Sequence, residues 1–163
     1  MRLVTAVMLC AALIGVSVAT AIADGDPVGD TRDDSSGGGV NRDLKGATHG
    51  HKGKKLKHGV SVFGKQLAIE DINLYINTNK SATAEYVVDT VEGVLAVRRT
   101  SDSKVTGPVR TIEVSEVKVR FLFSPSTIGK PKKYRWFVQL ESNRGDVYDR
   151  APNTGSNKHQ LVD

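Results

Sequence analysis

The side chains of this 163-residue chain best suited to metal or proton chemistry are four histidines, His49, His51, His58 and His159. His49-x-His51 with His58 has the residue types of a nitrogen-donor metal site. Neither cysteine nor carboxylate lies between them, and nothing in the surrounding composition fixes their geometry. They therefore read as titrating surface histidines, and no metal is expected. His159 stands apart near the C-terminus, which makes a histidine triad or acid–base pair hard to assemble. The only cysteine, Cys10, falls inside an apolar leader, so a thiol nucleophile is excluded from the mature chain. The nucleophile elbow, the phosphate-binding glycine loop and His-Glu-x-x-His are all missing from the sequence. Asp24-Gly25-Asp26 with Asp30 starts like a calcium loop but has no closing glutamate. Glu113 and Glu116 read as solvent-facing strand positions beside Lys118 and Arg120. The chemistry on offer points to a protein that is not an enzyme and carries no cofactor.

The leader has the order of a signal peptide. Met1-Arg2 is a short positive end, Leu3 to Ala19 carries no charge, and Ala21-Ile22-Ala23 is a small-x-small cleavage triplet ahead of Asp24. A membrane-spanning helix needs about 20 predominantly apolar residues, and this run is shorter and rich in small residues. Residues 1–23 are thus expected to be cleaved, giving a secreted chain with no membrane span. Without cysteine it has no disulfides, and it must rely on an apolar core or work in a reducing compartment.

Charge then divides the chain. Asp24 to Asp34 holds five aspartates against Arg32, and Ser35 to Gly39 is a flexible linker by composition. Arg42 to His58 holds six Lys and Arg against Asp43. Between Asp24 and Gly59 the only aliphatic side chains larger than alanine are Val28, Val40, Leu44 and Leu56, too few to offset the entropy of ordering. Residues 24–59 therefore read as a disordered, acidic-then-basic arm. Its run Lys52, Lys54, Lys55, Lys57 is of the kind that attracts nucleic acid, anionic lipid or a nuclear-import receptor. The arm has no aromatic residues to stack on bases, so any nucleic-acid contact would be to phosphate.

Residues 60–150 are the expected globular domain and 151–163 a loose tail. Gln66 to Asn77 fits an amphipathic helix. Tyr86 to Arg99 is valine-rich and reads as a strand with a bulge at Gly93. Val117 to Phe123 and Tyr134 to Leu140 alternate with period two and are joined through Pro125, Gly129 and Pro131, which predicts an antiparallel hairpin. Upstream, Ile112 and Val114 run on the opposite parity, so a register shift is expected at Ser115-Glu116. The fold class predicted is α+β, one helix on a small antiparallel sheet of three or four strands. Asn79-Lys80-Ser81 is a glycosylation sequon in a predicted loop. Arg144-Gly145-Asp146 reads as a plain turn.

The order of leader, acidic stretch and Arg42-Asp43-Leu44-Lys45 resembles that of oomycete RxLR effectors, secreted proteins that act inside host plant cells. The opening Met-Arg-Leu-Val and the distance from leader to motif are also similar to that family. The resemblance covers about the first 45 residues, has Lys45 in place of the final Arg, and lacks a Glu-Glu-Arg element downstream. It implies a translocation or processing role for Arg42, Asp43, Leu44 and Lys45, virulence through suppression of immunity or cell death, a host protein as partner, and a destination in the host cytoplasm or nucleus. Two other functions fit the same sequence: an extracellular inhibitor or binding module, and a cationic protein that binds nucleic acid or anionic surfaces.

Overall fold

Alternation of buried and exposed side chains runs through most of the chain and makes it a β-protein. The computed structural model describes residues 28–29, 40–65, 69–142, 144–152 and 155–160. The predicted signal peptide at 1–23, most of the acidic stretch and linker, and residues 161–163 lie outside the described residues. The strands are β1 (Val28–Gly29), β2 (Leu44–Lys52), β3 (Lys55–Val62), β4 (Ile72–Asn77), β5 (Tyr86–Val91) and β6 (Val94–Arg99). They continue with β7 (Val105–Pro108), β8 (Arg110–Ser115), β9 (Lys118–Phe123), β10 (Lys133–Glu141), β11 (Val147–Ala151) and β12 (Asn157–Gln160).

One sheet has the order β1-β2-β3-β9-β8, and the other runs β11-β10-β4-β5-β6-β7 with β12 also paired to β10. Every pairing is antiparallel. The chain crosses between sheets after β3, β7 and β9, which sets β9 beside β3 and β10 beside β4. The inward residues of both sheets form one apolar cluster that includes Leu44, Leu56, Val60, Phe121 and Phe123 from the first sheet and Leu74, Ile76, Val97, Trp136 and Val138 from the second. Sheet-on-sheet burial of this kind supplies most of the stability in a disulfide-free domain.

This architecture overturns the α+β expectation. Among the described residues strand accounts for 59% and no helix reaches seven residues, so none of them forms a helix packed on a small sheet. Where a helix was expected over 66–77, the described part is a short 3-10 turn, Ile69–Asp71, followed by β4. Ile72, Leu74 and Ile76 are buried at alternate positions with Asn73 and Tyr75 between them, a period of two inside a run that also matches a helical stripe. The expected disordered arm also fails: residues 44–62 are β2 and β3, with Leu44, Ala47, Leu56, His58 and Val60 all at most 1% exposed. Part of the expected tail is β12, paired along β10 from Lys133↔Gln160 to Trp136↔Asn157.

Two local readings are corrected as well. Tyr86 to Arg99 is two strands, β5 and β6, joined at Glu92-Gly93, both in the left-handed region with φ of 50° and 79°. Two successive left-handed residues are the requirement of a tight two-residue hairpin turn. The alternating runs of β9 and β10 are real strands but not partners. The segment between them, with the 3-10 turn Pro125–Ile128, carries the chain from one sheet to the other. Among the described residues no helix is long and apolar enough to cross a membrane.

Candidate functional site

The β2–β3 hairpin has two faces, and both gather residues with chemistry. Cross-strand pairs share a face. On the outer face the register gives the row Gly50–Lys57–Leu122–Arg110, then Thr48–Gly59–Arg120–Ile112, then Gly46–Ser61–Lys118–Ser115. The Lys52–Lys55 pair continues this face at the hairpin tip, where Lys54 occupies the turn. Lys52, Lys54, Lys55 and Arg110 are exposed, and Lys57, Lys118 and Arg120 are half-buried. These rows contain no carboxylate, and Gly46, Gly50 and Gly59 leave their middle flat. At Gly59 the close approach is real: an added Cβ would stand 2.6 Å from the Thr48 hydroxyl oxygen.

On the inner face the strand period of two puts His49 and His51 on the same side of β2, with His58 directly across from His49. The second sheet contributes His159 of β12, across from Tyr134 of β10. All four histidines of the chain therefore meet between the sheets, three of them on the segment read as an unstructured arm. The ring of His159 lies 4.6 Å from that of His49 and 4.7 Å from that of His51. Its Nδ1 faces His49 Nδ1 in a short contact, and its Nε2 is 3.4 Å from His51 Nε2. His58 is fully buried, stacked on Phe123 with ring centroids 5.9 Å apart and edge-on to Trp136 at 4.9 Å. Its Nε2 shares a 2.8 Å hydrogen bond with the Tyr134 hydroxyl.

Burial, and secondarily the neighbouring imidazoles His159, His49 and His51, holds His58 well below the usual histidine pKa. The same causes, burial first and then His49 and His51, lower His159 to about 4. Burial alone raises the Tyr134 phenol. His58, His159 and Tyr134 are thus held toward their neutral forms inside an apolar interface. Three buried nitrogens around the cluster, His58 Nδ1, Trp136 Nε1 and Asn157 Nδ2, have no hydrogen-bond partner among the described residues. Among the described residues no group of three or more His, Cys, Asp or Glu side chains is placed to hold a metal ion.

The residues singled out by the effector resemblance occupy packed positions. Arg42 Nε donates to Asp71 Oδ2 at 2.9 Å, and its guanidinium lies 4.2 Å over the Tyr148 ring. Asp43 and Leu44 are wholly buried, and the Leu44 N–H donates to Asp149 Oδ2 at 2.5 Å. Lys45 is exposed at the bulge between Leu44 and Gly46. A receptor or protease that reads these four residues as an extended segment would have to open the edge of the sheet. Leu44→Ala is expected to destabilise the fold by about 2–5 kcal/mol, the range for a buried leucine. Chemical denaturation of that variant checks this, and any uptake defect of a Leu44 variant needs the same measurement beside it.

The sequon residue Asn79 is exposed, but its amide is engaged, Nδ2 donating to Glu85 and Oδ1 accepting from the Ser81 N–H. On the second sheet, a cavity of about 270 Å³ is lined by Asn77, Phe137, Arg135 and Arg150 among others. Both arginines are already committed: Arg135 donates to the carbonyls of Asn79 and Ser81, and Arg150 donates to those of Pro152 and Gly155 while lying over Phe137. That corner is fastened by its own backbone and is a poor anion site. No protein-family model matches the chain, and a search of curated proteins gives no significant match.

Proposed function

We propose that the chain is a secreted, non-catalytic binding protein that holds an anionic polymer against the outer face of its five-stranded sheet. The supporting observation is the convergence of Lys52, Lys55, Lys57, Arg110, Lys118 and Arg120 on one glycine-paved face whose rows carry no carboxylate. Side chains two positions apart on one strand are about 6.6–6.8 Å apart, so the lysine and arginine pairs repeat at a regular interval. Such spacing suits a ligand with repeated charges. The net charge of +5 and isoelectric point near 9.4 favour the same class of partner. The described rows of this face hold no aromatic side chain, so the contact is with charged groups of the polymer backbone rather than with stacked bases.

The test is a salt titration of binding to a double-stranded DNA oligomer as a model polyanion. Engagement of Lys52, Lys55, Arg110, Lys118 and Arg120 predicts that log K falls against log salt with a slope of about −4 to −5. Lys118→Ala and Arg120→Ala are each expected to reduce that slope by about 1 while leaving the fold intact. Binding that ignores salt, or that keeps its slope in both variants, would remove the reading. The role of effector inside host plant cells draws its support from the order of leader, acidic stretch and Arg42–Lys45 alone. Because packing and hydrogen bonding account for Arg42 and Leu44, the polyanion reading is preferred.

A further inference from the structure

The inner face of the β2–β3 hairpin carries a device independent of the basic face: we propose that the four histidines form an acid-sensitive latch between the sheets, which protonation opens by releasing β12 from β10. Three of the imidazoles stand in a line. His159 lies between His49 and His51, its Nδ1 against His49 Nδ1 and its Nε2 3.4 Å from His51 Nε2. Each contact needs one proton, and donation in either direction along the line satisfies both, so the neutral line is fully paired. One added proton is still accommodated, because a cationic His159 donates from both of its nitrogens. A second is not. It forces two N–H groups against each other in one of the contacts and places two positive charges on rings spaced 4.6 and 4.7 Å apart.

The walls of the cluster offer little to offset that charge. Facing the line are His58 from β3 and Tyr134 and Trp136 from β10, with Phe123 of β9 behind His58. The titratable groups among them are imidazoles and one phenol, and none is a carboxylate. The basic neighbours along the same strands, Lys52, Lys57, Arg135 and Lys158, belong to the opposite faces by the period of two. His58 is fully buried with Nδ1 unpartnered among the described residues, so a charge there is the most costly of all. Burial first, and then the other imidazoles, lowers both His58 and His159, the latter to about 4 from its ordinary 6.5. The released form of His159 therefore binds protons more tightly than the latched form. Latching is fully favourable above about pH 6.5 and is lost progressively as pH falls toward about 4. The part that yields is β12. Among the described residues it pairs only with β10, over the four positions from Lys133↔Gln160 to Trp136↔Asn157, whereas β2 is held between β1 and β3. Lifting β12 draws His159 out from between His49 and His51 while both sheets keep their other pairings.

Hydrogen–deuterium exchange of the full mature chain at about pH 7.5 and about pH 5, corrected for the intrinsic pH dependence of exchange, tests the latch. Return of His159 from about 4 to 6.5 on release predicts that the opening equilibrium of the β12 amides rises about 30-fold over that interval, with a smaller change in β5 and β6. His159→Gln, whose amide takes up no proton, is expected to open β12 equally at both pH values. Should that variant not fold, an NMR titration of the wild-type imidazoles decides the matter, because His159 of the folded chain is expected to stay neutral down to about pH 5. The proposal is overturned if wild-type β12 is equally protected at both pH values, or if folded His159→Gln keeps the pH dependence. Titration of His159 near its ordinary 6.5 with β12 still paired would overturn it as well.

Discussion

A chain that begins at Val60 is expected to show no cooperative unfolding transition, whereas one that begins at Val40 is expected to melt as a single unit. The reason is the position of β2 and β3 in the core. Truncation at Val60 removes Leu44, Ala47, Leu56 and His58, none of which is exposed. It strips β9 of its partners from Leu56↔Phe123 to Gly59↔Arg120. Each fully buried large apolar side chain contributes about 1.5–3 kcal/mol. The loss includes both the deleted residues and the surface uncovered on Phe121, Phe123 and Trp136. Set against a typical domain stability of about 5–15 kcal/mol, it leaves no folded state. Asp149 would also lose the Leu44 N–H that donates to its carboxylate. Far-UV circular dichroism during heating and during urea titration distinguishes the two chains. A sharp transition of near wild-type midpoint in the shorter chain would mean that the hairpin is an appendage, and the sandwich core described above would be wrong.

Why the hairpin escaped a reading of composition is a question of what its two faces carry. Its outer face holds lysine, glycine, serine and threonine, and three of its inner-face side chains, His49, His51 and His58, are imidazoles. Hydropathy counts both as polar, although His58 stacks on Phe123 and packs edge-on to Trp136 as an aromatic core residue would. The alternation was present in His49-x-His51 and in Leu56-x-His58-x-Val60, but only a reading that counts histidine as a core residue detects it. Period-two patterning did locate β9 and β10, because Val119, Phe121 and Phe123 and then Tyr134, Trp136 and Val138 are large and unambiguous. Their partners were not legible. Strand pattern is local, whereas pairing is decided by which early strand, β3 or β4, offers a matching face. The helical reading of 66–77 failed at the same boundary, since Leu74, Tyr75 and Ile76 in succession satisfy either period, and burial against β5 and β10 selects the extended one. The basic residues were legible as a patch, but Arg110, Lys118 and Arg120 join Lys52 and Lys55 only through the β3–β9 and β8–β9 pairings. His159 gave no signal at all in the sequence, because its meaning lies entirely in being carried back along β10 to His49 and His51.

Trp136→Ala is expected to be the most damaging single substitution, at about 3–5 kcal/mol, the range for removing a buried tryptophan. Trp136 is wholly buried in β10 and is flanked across the ladder by Ile76 on one side and Asn157 on the other. Its ring also forms the wall of the histidine cluster, 5.3 Å from His49 and 4.9 Å from His58. Truncation to alanine therefore opens a cavity in the apolar core and at the same time withdraws the aromatic surface against which the His49 and His58 imidazoles pack. Trp136→Phe separates size from polarity. Indole Nε1 has no hydrogen-bond partner among the described residues, so phenylalanine gives up no bond to them and leaves a smaller void. Its cost should fall well below that of alanine. Since Trp136 is the sole tryptophan, urea unfolding of both variants has to be followed by far-UV circular dichroism rather than by tryptophan emission. Equal costs for alanine and phenylalanine would show that the indole ring contributes through its nitrogen and not through its volume. That outcome would require a partner for Nε1 and a different account of what joins the two sheets around the histidines.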